Sequence, residues 1–431
     1  MFYTFFNIKH SILSRFSSKF MNKIKPFLLS EKTYSFLIAA VLISLPLRHA
    51  FSNTTVIILL AVSLASVFYH KISFKKEQLI PVFFYVFMAV SLLWSVDLKE
   101  SVRGLERHLI YMMIPVLFIT MPIISKKVLL KAFYYFSVGI AIFTVLFIVY
   151  ATTDYFINGN SMVFFYHDLV KVTPLKLNLN AIYISVIVAF VLLFMIFYSK
   201  RKPFNFVVTF LLVLFLILLS SKNVFITTLI AAGIGLLLTK KIVAKHILFL
   251  VIFGLGLFAI ILFSPLKQRI DNELSSNIEE VLTKKQFTRI YPWTGTTIRL
   301  VQARIGVELI KENNKYLTGF GINASRGKIR EKQHHYNMYS GYNKYNFHNQ
   351  YIQAYVELGV IGLLFVLALL VIVFKFYLKE KELIYLFFFI LMASIFITES
   401  FIWRQRGMIF FLLIYGLLLK VSWNKQNTID L

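Results

Sequence analysis

A histidine that precedes an apolar helix is the residue best suited to chemistry in this sequence. His348 and Asn349 lie in the segment 346–362, NFHNQYIQAYVELGVIG, between a long basic stretch and an apolar run. Imidazole titrates near neutral pH and can take a proton from a hydroxyl group. Glu357 follows inside the apolar run, where a carboxylate indicates a functional site by default. The segment therefore predicts acid–base chemistry beside a membrane.

Basic residues near the ends of apolar runs are candidates for binding an anion. They are Lys222 in LSSKNVFITT, Arg299 in TTIRLVQAR, Arg103 and Arg107 in SVRGLER, and Arg404 and Arg406 in ESFIWRQRG. Guanidinium groups bind phosphate through two parallel hydrogen bonds. Each cation also has an ordinary interpretation. Lys222 could snorkel at a tight turn, Arg299 could be solvated, and Arg103 could pair with Glu106.

The composition predicts a membrane protein built from helices. Of the 431 residues 58% are hydrophobic, and the mean hydropathy is +0.74. Runs of about 20 apolar residues, the length that spans a bilayer as helix, recur along the chain. We therefore predict an all-α polytopic fold with about twelve transmembrane helices. The predicted spans are 33–49, 53–69, 78–95, 108–124, 131–151, 179–198, 205–220, 222–239, 246–264, 352–374, 383–399 and 408–421.

Charge orients these spans. Five basic loops fall on the same side of the alternating topology, together with the N-terminal segment and the tail, and the positive-inside rule places that side in the cytoplasm. The basic loops are 71–76, 125–131, 199–203, 239–245 and 375–382. Both termini then lie in the cytoplasm of a bacterial inner membrane, and the loop between helices 9 and 10 is periplasmic. The predicted organisation is an N-terminal cytoplasmic segment 1–32, helices 1–9 over 33–264, a large loop 265–351, helices 10–12 over 352–421 and a tail 422–431.

The large loop 265–351 has an unusual charge for a translocated segment. It holds 14 Lys and Arg against 7 Asp and Glu, which indicates contact with anions such as phosphate or anionic lipid. Within it, 296–313 predicts an amphipathic helix capped by Thr296 or Thr297, with Ile298, Val301, Ile305 and Leu309 as one stripe. The basic residues elsewhere are scattered through short loops, a pattern that disfavours nucleic-acid binding.

Several catalytic classes lack their sequence signatures. The chain has no cysteine, and its Asp residues are isolated, so no DxD pair for a metal-bound nucleotide sugar is present. Walker, HExxH and GxSxG motifs are also absent. We expect a reaction that needs no metal or other cofactor and that is driven by an activated, lipid-linked donor.

The segment HNQYIQAYVELGVIGLL (348–364) resembles the His-Asn…Glu-x-Gly-x-x-Gly signature of the O-antigen ligase and O-antigen polymerase family of bacterial inner-membrane glycosyltransferases. The resemblance implies twelve helices and a large periplasmic loop. It implies that His348 activates an acceptor sugar hydroxyl and that Arg299 contacts an undecaprenyl-pyrophosphate donor. The family usually has an arginine at the position of Lys222. Lysine keeps the positive charge there, but it cannot form the two parallel hydrogen bonds of a guanidinium group. Supporting segments are 95–110, 177–185, 219–223, 296–310 and 317–322.

Three functions follow as hypotheses. The first is a ligase that moves a glycan onto lipid A-core, which the histidine and the paired basic residues favour. The second is a polymerase of the same family that joins lipid-linked repeats. The third is a flippase or secondary transporter for lipid-linked glycans, although no internal repeat of the kind typical of transporters is visible. The sequence leaves open the sugars, the oligomeric state and any polysaccharide assembly proteins that act as partners.

Overall fold

A computed structural model describes residues 18–171, 177, 179–200, 202–239, 254, 271, 276–288, 291–344 and 346–423. Its described residues are mostly helical. The helices are α1 Ser18–Leu29, α2 Glu31–Ser44, α3 His49–Ser66, α4 Ile80–Val90, α5 Leu98–Arg107, α6 Ile110–Thr120, α7 Lys126–Asn158, α8 Tyr166–Lys171, α9 Ala181–Tyr198, α10 Pro203–Leu218, α11 Lys222–Thr239, α12 Ile278–Thr283, α13 Gly295–Glu312, α14 Arg326–His335, α15 Gln350–Glu380, α16 Leu383–Thr398 and α17 Gln405–Lys420. Short 3₁₀ segments are Val67–Tyr69, Lys76–Leu79, Ser91–Trp94, Ser161–Phe164, Ser340–Lys344 and Phe401–Trp403, and two short strands are β1 Ile124–Ser125 and β2 Val421–Ser422.

Length and apolar composition make this an α-helical membrane protein. Within the described ranges, six helical stretches are long and apolar enough to cross a bilayer. They are His49–Tyr69, Lys76–Trp94, Lys126–Asn158, Ala181–Tyr198, Lys222–Thr239 and Gln350–Glu380. Pro203–Leu218 and Leu383–Thr398 are shorter apolar helices. Every predicted span contains a described helix except 246–264, which lies outside the described residues apart from position 254. The count of twelve spans stays a prediction.

The centre of the bundle is formed by α9 and α17. All residues from Ala181 to Ile196 are buried, as are those from Arg406 to Lys420. A helix that is apolar on every side must be surrounded by other helices to remove its whole surface from solvent or lipid. Accordingly α9 contacts α7, α10, α11 and α16.

The loops gather at two opposite ends of the bundle. At one end β1 pairs with β2 in parallel, and Lys126 Nζ lies 2.5 Å from Glu382 Oε1. These segments all belong to the loops predicted to be cytoplasmic. The other end collects the segments around Asp97, Asn223, His348 and Glu399. Which end faces the cytoplasm stays a prediction from charge.

Helix α15 is broken at Gly359, where φ is +67° and ψ is −166°. The break leaves backbone groups without hydrogen-bond partners in the helix. A turn that contains glycines provides those partners. Phe320 N donates to Val356 O at 3.0 Å, Gly321 N donates to Glu357 O at 2.8 Å, and Val360 N donates to Tyr316 O at 2.8 Å. The turn of the large loop is thereby fixed to the helix that begins just after His348.

Glycine is required at this crossing for two reasons. A Cβ on Gly359 would come within 2.1 Å of Leu317 O, and one on Gly319 would come within 2.4 Å of the Glu357 carbonyl carbon. Both residues also have positive φ values, which disfavour any residue with a Cβ. The segments LTGFGI and ELGVIG therefore pack against each other through their glycines.

The described part of the large loop has its own apolar core. The predicted stripe on α13 is buried, with Val301 and Ile305 fully so, and it packs against Phe287 and Phe347. The helix starts one residue earlier than predicted, and its cap is Thr294, whose hydroxyl accepts from Thr297 N at 3.2 Å. Both predicted caps are therefore wrong, because Thr297 completes the capping box instead. Gly306 lets α13 approach Ile352 of α15 closely.

Gly359→Ala should destabilise the protein, because the new methyl group meets backbone atoms at a positive φ. We expect a loss of about 2–4 kcal/mol. Gly233→Ala is the matched control, since its Cβ would meet nothing within 4 Å in the middle of α11. Thermal unfolding of the purified variants in detergent measures both. Equal melting temperatures for the two variants would contradict the proposed crossing.

Candidate active site

His348 is held in an unusual backbone conformation at the mouth of α15. Its φ is +45°, and its amide donates to Asn346 Oδ1 at 3.1 Å. Asn349 caps the helix, with Oδ1 accepting from Ile352 N at 3.0 Å. The polar residues on either side of His348 therefore fix its backbone. The side chain of Asn349 is used for capping in this arrangement.

Glu399 faces the imidazole of His348. It is the first residue after α16, and His348 Nδ1 lies 3.2 Å from its Oε2 and 3.3 Å from its Oε1. The carboxylate is acceptor-only when ionised, so Nδ1 is the donor in this contact. The neutral ring then carries its lone pair on Nε2. Hydrogen bonding to Nδ1 is the usual way in which a protein selects that tautomer.

Arg299 reaches the same carboxylate from the large loop. Its Nη2 donates to Glu399 Oε1 at 3.4 Å, its Nε donates to Thr398 O at 2.9 Å, and its Nη1 donates to Gly295 O at 2.8 Å. A guanidinium has five N–H donors, and these contacts use three of them. Among the described residues, the other two donors, one on each Nη atom, have no protein acceptor and could bind an oxyanion.

These contacts make Glu399 an anion under ordinary conditions. Its side chain is only 4% exposed, and that burial by itself would raise the pKa of the Glu399 carboxyl. The hydrogen bond and charge of His348, together with the charge of Arg299, outweigh burial and hold that pKa below its usual value. Glu399 therefore stabilises positive charge on His348.

Lys222 is the first residue of α11, and this helix begins beside the end of α16, next to Glu399. The neighbouring Asn223 amide donates to Thr398 Oγ1 at 2.8 Å and to Ser394 O at 3.2 Å, which fixes the start of α11 against the end of α16. Thr398 also receives the Nε bond of Arg299 through its carbonyl. The start of α11 and Arg299 of α13 thus both contact the C-terminal end of α16.

A cavity of about 850 Å³ adjoins His348 and Glu399. Its lining contains both polar or charged residues and apolar ones. The polar lining comprises His49, Asn53, Glu106, Arg107, Asn180, Arg326, His348, Glu399, Arg404, Gln405 and Arg406. The remaining lining comprises Val56, Ile57, Leu109, Ile110, Met113, Tyr183, Met408 and Ile409. Neither Arg299 nor Lys222 is part of this lining.

The four other predicted arginines have different surroundings. Arg107 and Arg404 line the cavity with exposed side chains. Arg406 lines it as well, but its guanidinium donates to the carbonyls of Leu45 and Leu47, both at 2.9 Å. Arg103 lies outside the lining.

Arg103 pairs with a residue that was not expected. Its Nη1 lies 2.5 Å from Glu100 Oε1, three residues before it on α5. The expected pairing with Glu106, three residues after it, is therefore wrong. Glu106 instead lines the cavity.

Glu357 is enclosed in a hydrogen-bond network. It is 1% exposed, and its carboxylate accepts from Asn323 N at 2.6 Å, Trp403 Nε1 at 2.8 Å and Gln353 Nε2 at 2.5 Å. These donors come from the glycine turn, the segment before α17 and α15 itself. Glu357 joins these elements behind His348 and does not border the cavity.

Sequence reasoning missed Glu399 and Arg326. Glu399 is the only acidic residue between positions 383 and 407, and it stands where an apolar run ends on the same predicted side as His348. That position was a usable signal. Arg326 had no such signal, because it is one of many basic residues in a loop rich in them.

Comparison with known protein families relates part of the chain to a described family. Residues 207–367 match the model of the family described as O-antigen ligase. The matched stretch contains Lys222, Arg299 and His348, and it ends before Glu399. No curated protein matches the chain.

Glu399→Gln should lower stability at neutral pH, because Arg299 loses its counter-charge and the imidazole of His348 loses its carboxylate acceptor. We expect a loss of about 1–3 kcal/mol. A carboxylate with a depressed pKa stabilises the fold above its unfolded pKa, and that contribution disappears as the pH falls through the folded pKa. The melting temperatures of wild type and variant should therefore converge in acid, below the ordinary carboxyl pKa of 4.5.

Glu331→Gln is the control for this measurement. Its carboxylate pairs with Lys328 three residues away, and its side chain is 68% exposed. Such a surface pair contributes little to stability. The free energy of unfolding of this variant should therefore lie within about 0.5 kcal/mol of the wild-type value. An unchanged melting temperature for Glu399→Gln at every pH would contradict the assigned ion pair.

Proposed function

This chain is a member of the O-antigen ligase family over residues 207–367, and on that premise we propose that it is an O-antigen ligase. It transfers a glycan from undecaprenyl pyrophosphate to a sugar hydroxyl of lipid A-core. The reaction takes place at the periplasmic face of the inner membrane. The family assignment supports glycosyl transfer with a lipid-linked glycan and an acceptor. The choice of this donor, this acceptor and this side belongs to the proposal.

One observation carries the proposal, namely that His348 lies on the cavity wall with Nδ1 bonded to a buried carboxylate. A general base needs a lone pair directed at its substrate and a group that stabilises the charge it gains. Nε2 provides the lone pair, and Glu399 stabilises the imidazolium. The arrangement is that of an oriented histidine base, as in other enzymes where a carboxylate fixes the tautomer.

The chemical step follows from these roles. Nε2 of His348 removes the proton of the acceptor hydroxyl, and the oxygen forms a bond to the anomeric carbon of the donor glycan. The bond from that carbon to the pyrophosphate oxygen breaks, and undecaprenyl pyrophosphate leaves with the electron pair. Because attack comes from the face opposite the leaving group, the configuration of the anomeric carbon inverts.

Arg299 and Lys222 are assigned to the leaving group. Charge on the bridging oxygen grows as the bond breaks, and donors that are already oriented stabilise it most. Arg299 retains two N–H donors toward an oxyanion, as described above. Lys222 adds a positive charge but cannot form a bidentate hydrogen bond. Asn349 and Glu357 hold His348 in place. Asn349 caps α15, and Glu357 joins α15 to the glycine turn.

His348→Ala should remove the base without removing either substrate site. We expect transfer by purified protein to fall by about 10²–10⁴-fold, which is the usual contribution of a general base. In a strain producing only the variant at normal protein level, lipopolysaccharide should be rough core, with polymer left on the lipid carrier. Gels of lipopolysaccharide and of the lipid-linked pool measure this.

His334→Ala is the matched control, because His334 is exposed on α14 and does not line the cavity. It should keep wild-type transfer. Wild-type transfer by His348→Ala would overturn the assignment of the base. Core carrying a single repeat would indicate a polymerase, and absence of any transfer by purified wild-type protein in detergent would favour a transporter.

A further inference from the structure

Three arginines of the cavity come from three separate segments. Arg107 ends α5, Arg326 begins α14, and Arg404 directly precedes α17. All three are exposed and line the same cavity as His348. The fold therefore brings three guanidinium groups to one space from positions far apart in the chain.

These guanidinium groups differ from the other cations at this end of the molecule. Arg103, Arg304 and Lys332 each have a carboxylate within hydrogen-bonding distance. Across the described residues, Arg107, Arg326 and Arg404 have no carboxylate within 4.0 Å and no side-chain hydrogen bond. Glu106 also lines the cavity, but its charge cannot balance three cations, and Glu399 is already paired with His348 and Arg299.

The apolar residues of the lining, here called the apolar side, include two that are exposed at the surface of the bundle. Ile57 of α3 lines the cavity and is 54% exposed, and Leu109 before α6 lines it and is 45% exposed. Met113 and Met408 also belong to this side. A ligand with an anionic head and apolar chains could place its head among the arginines and its chains along the exposed apolar residues Ile57 and Leu109.

The position of His348 decides which substrate this cavity serves. A general base must contact the hydroxyl that it deprotonates, and that hydroxyl belongs to the acceptor. His348 lines this cavity, whereas Arg299, assigned to the donor, does not. The cavity is therefore the acceptor side of the site.

We propose that Arg107, Arg326 and Arg404 bind the phosphate groups of the acceptor, which is a phosphorylated glycolipid. This inference rests on the proposed function for the direction of transfer. Unpaired guanidinium groups bind phosphate through bidentate, charge-assisted hydrogen bonds. The apolar side selects a lipid over a soluble phosphorylated glycan. His348 then lies between a donor phosphate site at Arg299 and an acceptor phosphate site across the cavity.

The test measures lipid binding in nanodiscs on the His348→Ala background, so that no turnover is needed. The probes are bis-phosphorylated lipid A, the same lipid after phosphatase treatment, and undecaprenyl pyrophosphate. Arg107→Gln and Arg404→Gln should each weaken binding of bis-phosphorylated lipid A by about tenfold or more. Binding of the dephosphorylated lipid and of undecaprenyl pyrophosphate should stay unchanged.

Arg103→Gln is the control, since Arg103 lies on the same helix as Arg107 but pairs with Glu100 outside the cavity. It should bind all three probes as the background does. Weaker binding of undecaprenyl pyrophosphate in Arg107→Gln and Arg404→Gln would assign these arginines to the donor and overturn the inference. Equal loss for phosphorylated and dephosphorylated lipid A would overturn it too. A failure of glycan transfer in the separate assay would affect the proposed function and leave these binding results unaltered.

Discussion

The buried carboxylate of Glu399 is the interaction on which the site depends. It accepts from His348 at the end of the large loop and from Arg299 in the first turn of α13, and it belongs to the loop after α16. Removing a carboxylate from water costs several kcal/mol unless cations and hydrogen bonds compensate. Here the compensation comes from the two residues with the clearest chemical roles. The contacts that balance the charge of Glu399 are consequently the same contacts that orient the proposed base.

A second layer holds these three segments in place. The break of α15 at Gly359 exposes backbone groups that only the turn 316–321 satisfies, and Glu357 joins that turn to Trp403. Asn323, two residues after this turn, also donates from its amide side chain to the Glu100 carbonyl on α5 at 3.1 Å. The large loop is thus attached to the helices at several points behind His348. A histidine proposed as a general base on a long loop needs such attachment to keep its position at the cavity.

The described basic residues of the large loop have two kinds of surroundings. Some form ion pairs that stabilise the loop itself, such as Arg304 with Glu308 and Lys332 with Glu312. Beside them burial, followed by the nearby Glu308 carboxylate, raises the pKa of Tyr336 to about 12. Arg326 instead lines the cavity together with Arg107 and Arg404.

Much of the fold follows from sequence alone because it is local. Apolar runs locate helices, and a period of 3.6 residues located the buried stripe on α13. His348 was recognisable from its place between a polar and an apolar segment. Glu399 follows it by 51 residues, and no spacing rule connects the two. The partner of Arg103 and the cap of α13 depend on side-chain rotamers and on one residue of register, which patterns of hydropathy do not specify.

The coupling between His348 and Glu399 can be measured directly with purified protein. The rate of glycan transfer is compared for wild type, His348→Ala, Glu399→Gln and the double variant. Glu399→Gln alone should slow transfer by about tenfold to a hundredfold. If Glu399 acts through His348, the double variant should be no slower than His348→Ala, because the carboxylate has no base left to orient. If Glu399→Gln slows transfer equally in both backgrounds, the two residues act independently and the account is wrong.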